Sequence, residues 1–145
     1  MIFILLLMRL ILGGIFIYSG FSKLIVPLEN FIAAIEGYQF LRPELVRPIA
    51  FFLPWMELIF GAFLLTGFLT RSSAVLLALF SAIFISLLTR SLILKFPITE
   101  CGCFGTGISL APHQALFLDL GLFLMAVCLI IIPSTLLSLD KRLQK

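Results

Sequence analysis

Charge is what this chain has least of. Lysine, arginine, aspartate and glutamate together make up 12% of its 145 residues, against a hydrophobic share of 62% and a mean hydropathy of +1.26. A water-soluble domain is about a quarter charged and about half apolar. A 16.2 kDa chain cannot hide such a surplus in a soluble core, because too much of a small domain remains at its surface. The ten basic residues give a net charge of only +3 and form no dense cluster interleaved with exposed aromatics, which argues against nucleic-acid binding. There is no repeat with a period of 20–45 residues and no low-complexity tract. Histidine and tryptophan each occur once, and cysteine three times.

What is present is long apolar runs, for which lipid is the natural solvent. The sixteen phenylalanines suit lipid-facing and helix-packing positions. The expectation is one integral membrane domain over residues 1–145, an all-α four-helix transmembrane bundle with no separate soluble domain.

The first span is expected over residues 2–26. Its opening, Ile2-Phe3-Ile4-Leu5-Leu6-Leu7-Met8, has the look of a signal-peptide core, but Arg9 follows the apolar run and the apolar character then resumes, so a retained helix is expected. Counting back from Val26 puts Arg9 near the opposite interface, where it can snorkel. Pro27 closes this helix. The polar connection 27–47 follows, in which Asn30 to Tyr38 can form a short amphipathic helix on the interface. Tyr38, Phe40 and Trp55 suit an interfacial aromatic belt.

A second span is expected over residues 48–69, kinked at Pro54, and a third over 71–94. Between them lies the tight turn Thr70-Arg71-Ser72-Ser73, whose serines can cap the third span. Ala74, Ala78, Ala82 and Ser86 recur every fourth residue, a stripe on which another backbone can approach closely. Pro112 suits the first turn of a fourth span over 112–132, and Pro133 ends it. Four spans put both termini on one side. The basic tail and the short basic turn favour that side as cytoplasmic, which places the Cys101–Cys103 loop outside, in an oxidising compartment.

Chemistry concentrates in that loop, at Cys101-Gly102-Cys103-Phe104-Gly105. Only a thiolate attacks a disulfide, so a redox cysteine needs a lowered pKa and access to partners. The following helix N-terminus, Lys95 and His113 all favour the thiolate, although Glu100 opposes them. A bridge across one residue closes a small ring, for which Gly102 supplies backbone freedom, and such strain favours exchange over a permanent staple. Two other readings stay open: a static disulfide, or two thiolates with His113 on Cu(I) or Zn(II), for which the ligand count is low. His113 can also pass protons to or from the thiols. Cys128, among Val127, Leu129 and Ile130, is expected to be buried and inert.

Glu57 and Asp119 are carboxylates inside spans, where a charge is costly. At 1.5 Å per residue, Glu57 lies about 14 Å from the cysteine-loop face, Asp119 about 10 Å and Tyr18 about 12 Å, with Lys23 shallower. These four can meet on the bundle axis. The cluster would serve as a proton path, as a site for a quinone headgroup, or as a hydrogen-bonded knot that fixes helix packing.

Arg9-Leu10 with Gly13, Phe16, Ser19-Gly20 and Lys23-Leu24 resembles the first helix of DoxX-type membrane proteins. Pro54-Trp55-x-Glu57-Leu58-x-x-Gly61 and Thr70-Arg71 resemble their second helix and its exit. Cys101-Gly102-Cys103-Phe104-Gly105 is similar to the motif of the MauE (methylamine-utilisation) branch. The resemblance covers nearly the whole chain. It implies a four-helix inner-membrane protein associated with redox work, linked to maturation of a disulfide-rich periplasmic subunit beside a thioredoxin-like partner. By the same resemblance Cys101 and Cys103 are the thiol pair, and Lys23 and Glu57 are family-typical polar positions. Thiol–disulfide exchange with a thioredoxin-fold protein or a membrane quinone is the activity expected. A non-catalytic scaffold for a redox partner, and a small-molecule or metal carrier, are the alternatives.

Overall fold

The computed structural model describes residues 2–95 and 111–132; the Cys101–Cys103 pair and the basic tail lie outside the described residues. Within them the chain forms five helices: α1 (Ile2–Ile25), α2 (Leu28–Gly37), α3 (Pro43–Thr66), α4 (Thr70–Leu94) and α5 (Pro112–Ile131). All but α2 are long and apolar enough to cross a membrane. The expected four-span, all-α architecture therefore stands.

Each spanning helix turns one stripe inward. On α1 the stripe is Leu5, Arg9, Leu12, Phe16, Ser19 and Lys23, and on α3 it is Val46, Ala50, Pro54, Glu57, Gly61 and Leu64. Steps of three and four residues keep such a row on one face of a helix. The inner faces of all four spans meet in one core of Leu12, Phe16, Leu64, Leu77, Leu122 and neighbours. The outer faces carry Phe3, Phe52, Ile93 and Phe117, each more than 60% exposed. An apolar exterior of this kind is what hydrocarbon requires.

Several local expectations change. The second span starts at Pro43, which occupies the first helical turn, so Pro48 lies inside the helix. It ends at Thr66 rather than Leu69, because Gly67 turns left-handed (φ 76°) and the Phe68 N–H donates back to the Phe63 carbonyl at 2.9 Å. Ser72 and Ser73 fall within α4 and cap nothing; Leu69 holds the cap position.

The small-residue stripe of α4 is only half correct. Ala74 and Ala78 are buried, but the inward row continues through Ser81, Leu88 and Ser91, while Ser86 is exposed. A strict four-residue step drifts off the face of a 3.6-residue helix.

α2 forms where a short helix was expected, yet it does not simply lie on the surface. Phe31 and Tyr38 are buried, and Tyr38 packs with Leu88 and Ala115. Tyr38 thus belongs to the core; Phe40 and Trp55 are exposed, with Trp55 midway along α3.

Arg9 is also corrected. The residue is 6% exposed and does not reach outward, because it sits on the same stripe as Leu5, Leu12 and Phe16, which pack into the core.

Candidate functional site

Contact between α1 and α3 builds the site. A side-chain carbon on Gly20 would lie 2.7 Å from the Pro54 carbonyl oxygen, and one on Gly13 would lie 2.9 Å from the Gly61 oxygen. Only hydrogen fits at these points, so the two backbones touch. At this separation Ser19 and Lys23 of α1 reach Glu57 of α3.

The resulting network satisfies the ammonium fully. The Lys23 ammonium donates to Glu57 Oε1 at 2.7 Å, to Oε2 at 2.8 Å and to Ser19 Oγ at 3.0 Å. These three bonds use all three donors of an ammonium. The Ser19 hydroxyl in turn donates to Glu57 Oε2 at 3.1 Å. Lys23 and Glu57 side chains are 0% and 1% exposed. The rings of Phe31 and Phe84 stand 5.4 Å and 5.2 Å from the ammonium, close enough for their faces to share in stabilising the cation. Desolvating two charges costs several kcal/mol each, and geometry with every donor satisfied is what offsets it.

Asp119 of α5 is buried beside this pair. It lines a small cavity together with Ser19, Lys23, Glu57, Ser81 and Phe84, so one polar core joins all four spans. The cavity volume is about 10 Å³, room for one water and not for a quinone ring. Tyr18, expected in the cluster, is 44% exposed on the outer face of α1: it neighbours Ser19 in sequence but points about 100° away around the helix. Of the four residues placed on the bundle axis, the structure brings Lys23, Glu57 and Asp119 together and leaves Tyr18 out.

Ser19, Ser81, Phe31 and Phe84 also build the site, and none was expected there. Ser19 stands one turn before Lys23, so a polar i, i+4 pair in an apolar span was the available signal. The two phenylalanines gave none among sixteen.

His113 is exposed in the first turn of α5, whose start is further fixed by the Gln114 side chain accepting from the Ala111 N–H at 3.4 Å. Cys128 is a free, half-buried thiol in α5. Among the described residues there is no group of three or more histidine, cysteine, aspartate or glutamate side chains that could hold a metal.

This is a polytopic α-helical membrane protein with a buried ion pair between its first and second spans. The chain belongs to the family described as methylamine utilisation protein MauE, whose model matches residues 1–132. The match includes the Cys101–Cys103 segment and every residue of the polar core. The likeness of α1 and α3 to DoxX-type proteins stays a resemblance. No curated protein and no solved structure matches the chain.

Proposed function

We propose that the chain takes part in thiol–disulfide exchange at the outer face of the cytoplasmic membrane, with Cys101 and Cys103 as the exchanging couple. The observation that carries this reading is the Cys101-Gly102-Cys103 sequence, within the family match, in the segment joining α4 to α5. The polar core supports it in a different way. A bundle pinned by a satisfied internal ion pair makes a rigid mount, and reactive groups work best on rigid elements.

In the exchange, the thiolate of one cysteine attacks a disulfide sulfur of a thioredoxin-fold partner. The partner's S–S bond breaks and a mixed disulfide forms. The second cysteine, as thiolate, then displaces the partner's remaining sulfur and closes a Cys101–Cys103 bridge. The pair loses two electrons and two protons, and the partner gains both. The reverse sequence passes the disulfide on to a client, such as a folding periplasmic subunit. His113, exposed at the start of α5, is the proposed acceptor of a thiol proton. The orientation that goes with this reading places both termini in the cytoplasm, supported by Arg71 and by the tail residues Lys141, Arg142 and Lys145.

The test is labelling in intact cells. A membrane-impermeant maleimide should modify Cys101 and Cys103 only after a reductant is added, and either Cys101→Ser or Cys103→Ser should trap a mixed disulfide with a partner protein. Two serine variants that trap nothing and leave partner oxidation unchanged would overturn the proposal.

A further inference from the structure

A cavity of about 490 Å³ is lined by α2, α3 and α4 and by the segment joining α2 to α3. Its α4 wall is Phe80, Ile83, Phe84, Ser86, Leu87 and Arg90; Phe80, Ile83, Leu87 and Arg90 follow one another at steps of three and four residues and so share one helix face. From Arg90 at one end to Phe80 at the other the row runs about 15 Å along the helix. The size falls within the range of small-molecule pockets, which is about 300–1,000 Å³.

The walls are almost wholly apolar, and their polar groups are unequal. The Ser86 hydroxyl is already committed to the Ala82 carbonyl at 2.8 Å. Tyr38 is buried in the core. Arg90 differs. It is exposed, its guanidinium lies over the Phe40 ring at 5.9 Å, and among the described residues it forms no ion pair. Arg47, also on this side of the bundle, has Glu29 at 3.7 Å. A cation is therefore stationed at the end of an elongated apolar slot, near the end of a spanning helix.

We propose that this cavity binds one acyl chain of an anionic membrane lipid, with the chain along the phenylalanine row and the headgroup on Arg90. The charge complements Arg90, the length suits a chain entering from the interface, and the walls offer hydrogen bonds to nothing larger or more polar. The inner wall gives the site a consequence. Phe84 and Phe31 line the cavity and also cover the Lys23 ammonium, so a bound chain braces the rings that shield the buried ion pair. This inference does not depend on the cysteines.

The test uses the full chain in mild detergent, titrated with phosphatidylglycerol or phosphatidylcholine and read by native mass spectrometry. One phosphatidylglycerol should bind about tenfold tighter than phosphatidylcholine, whose quaternary ammonium offsets the phosphate charge facing Arg90 and is repelled by it. Arg90→Gln should abolish the preference and Arg90→Lys should keep most of it. Ile83→Trp, which fills the slot, should reduce binding of both lipids. Equal affinity for the two lipids, or a preference that survives Arg90→Gln, would overturn the headgroup assignment. Undiminished binding in Ile83→Trp would overturn the cavity as the site.

Discussion

Replacing Glu57 by leucine is the sharpest probe of how this bundle is held together. The change leaves the buried Lys23 ammonium with two of its three hydrogen bonds gone, since both Glu57 oxygens are its acceptors. Ser19 loses its acceptor as well. Removing one partner of a buried ion pair costs about 3–5 kcal/mol, most of it from the charge left behind. A loss of 3–5 kcal/mol is a large share of the stability of a small protein, about 5–15 kcal/mol. The double variant Lys23→Met with Glu57→Leu removes both charges and conserves volume roughly, so it should recover most of the loss. Reversible denaturation of all four forms in mixed micelles with rising sodium dodecyl sulfate measures the cycle. A coupling energy below about 0.5 kcal/mol, or a Glu57→Leu penalty under about 1 kcal/mol, would refute the claim that the pair secures α1 against α3.

Other outcomes follow from the same geometry. Ser19→Ala removes a hydroxyl that accepts from Lys23 and donates to Glu57, and should cost about 1–3 kcal/mol in the same denaturation assay. Gly20→Ala should cost about 1–3 kcal/mol, because the methyl meets the backbone of Pro54 at 2.7 Å and of Leu58 at 3.1 Å, and backbone cannot rotate away. Gly14→Ala, with nothing within 4 Å of the added carbon, should be neutral or slightly stabilising through helix propensity. A Gly14 penalty equal to that of Gly20 would mean that close approach is not what these glycines provide. In the Glu57→Leu variant, the Phe84 ring loses its ordered cation, and Phe84→Leu should then cost less than in the native background.

The four spans were legible before any coordinates, since hydropathy over about 20 residues is a local property and lipid leaves the backbone few alternatives to helix. Pro27, Pro112 and Pro133 marked helix ends closely, whereas the second span, expected over 48–69, runs from Pro43 to Thr66. Glu57, Asp119 and Lys23 stood out for the same local reason: charge inside an apolar run is expensive wherever it points. What a linear reading could not supply was rotation about each helix axis. Depth arithmetic put Tyr18 level with Glu57, yet it lies on the outer face, and Arg9 was expected to snorkel outward, yet it is buried against neighbouring helices. Depth depends on residue count, whereas facing depends on which stripe the neighbouring helices cover.

Composition and spacing alone therefore determined that this chain lives in lipid, crosses it four times and hides a few charges, because each of those properties is set within one segment. Only the tertiary structure decided which charges meet. The reach from Lys23 to Glu57 exists because glycines at 13, 20 and 61 let two backbones touch, and closeness between helices distant in sequence belongs to no single segment.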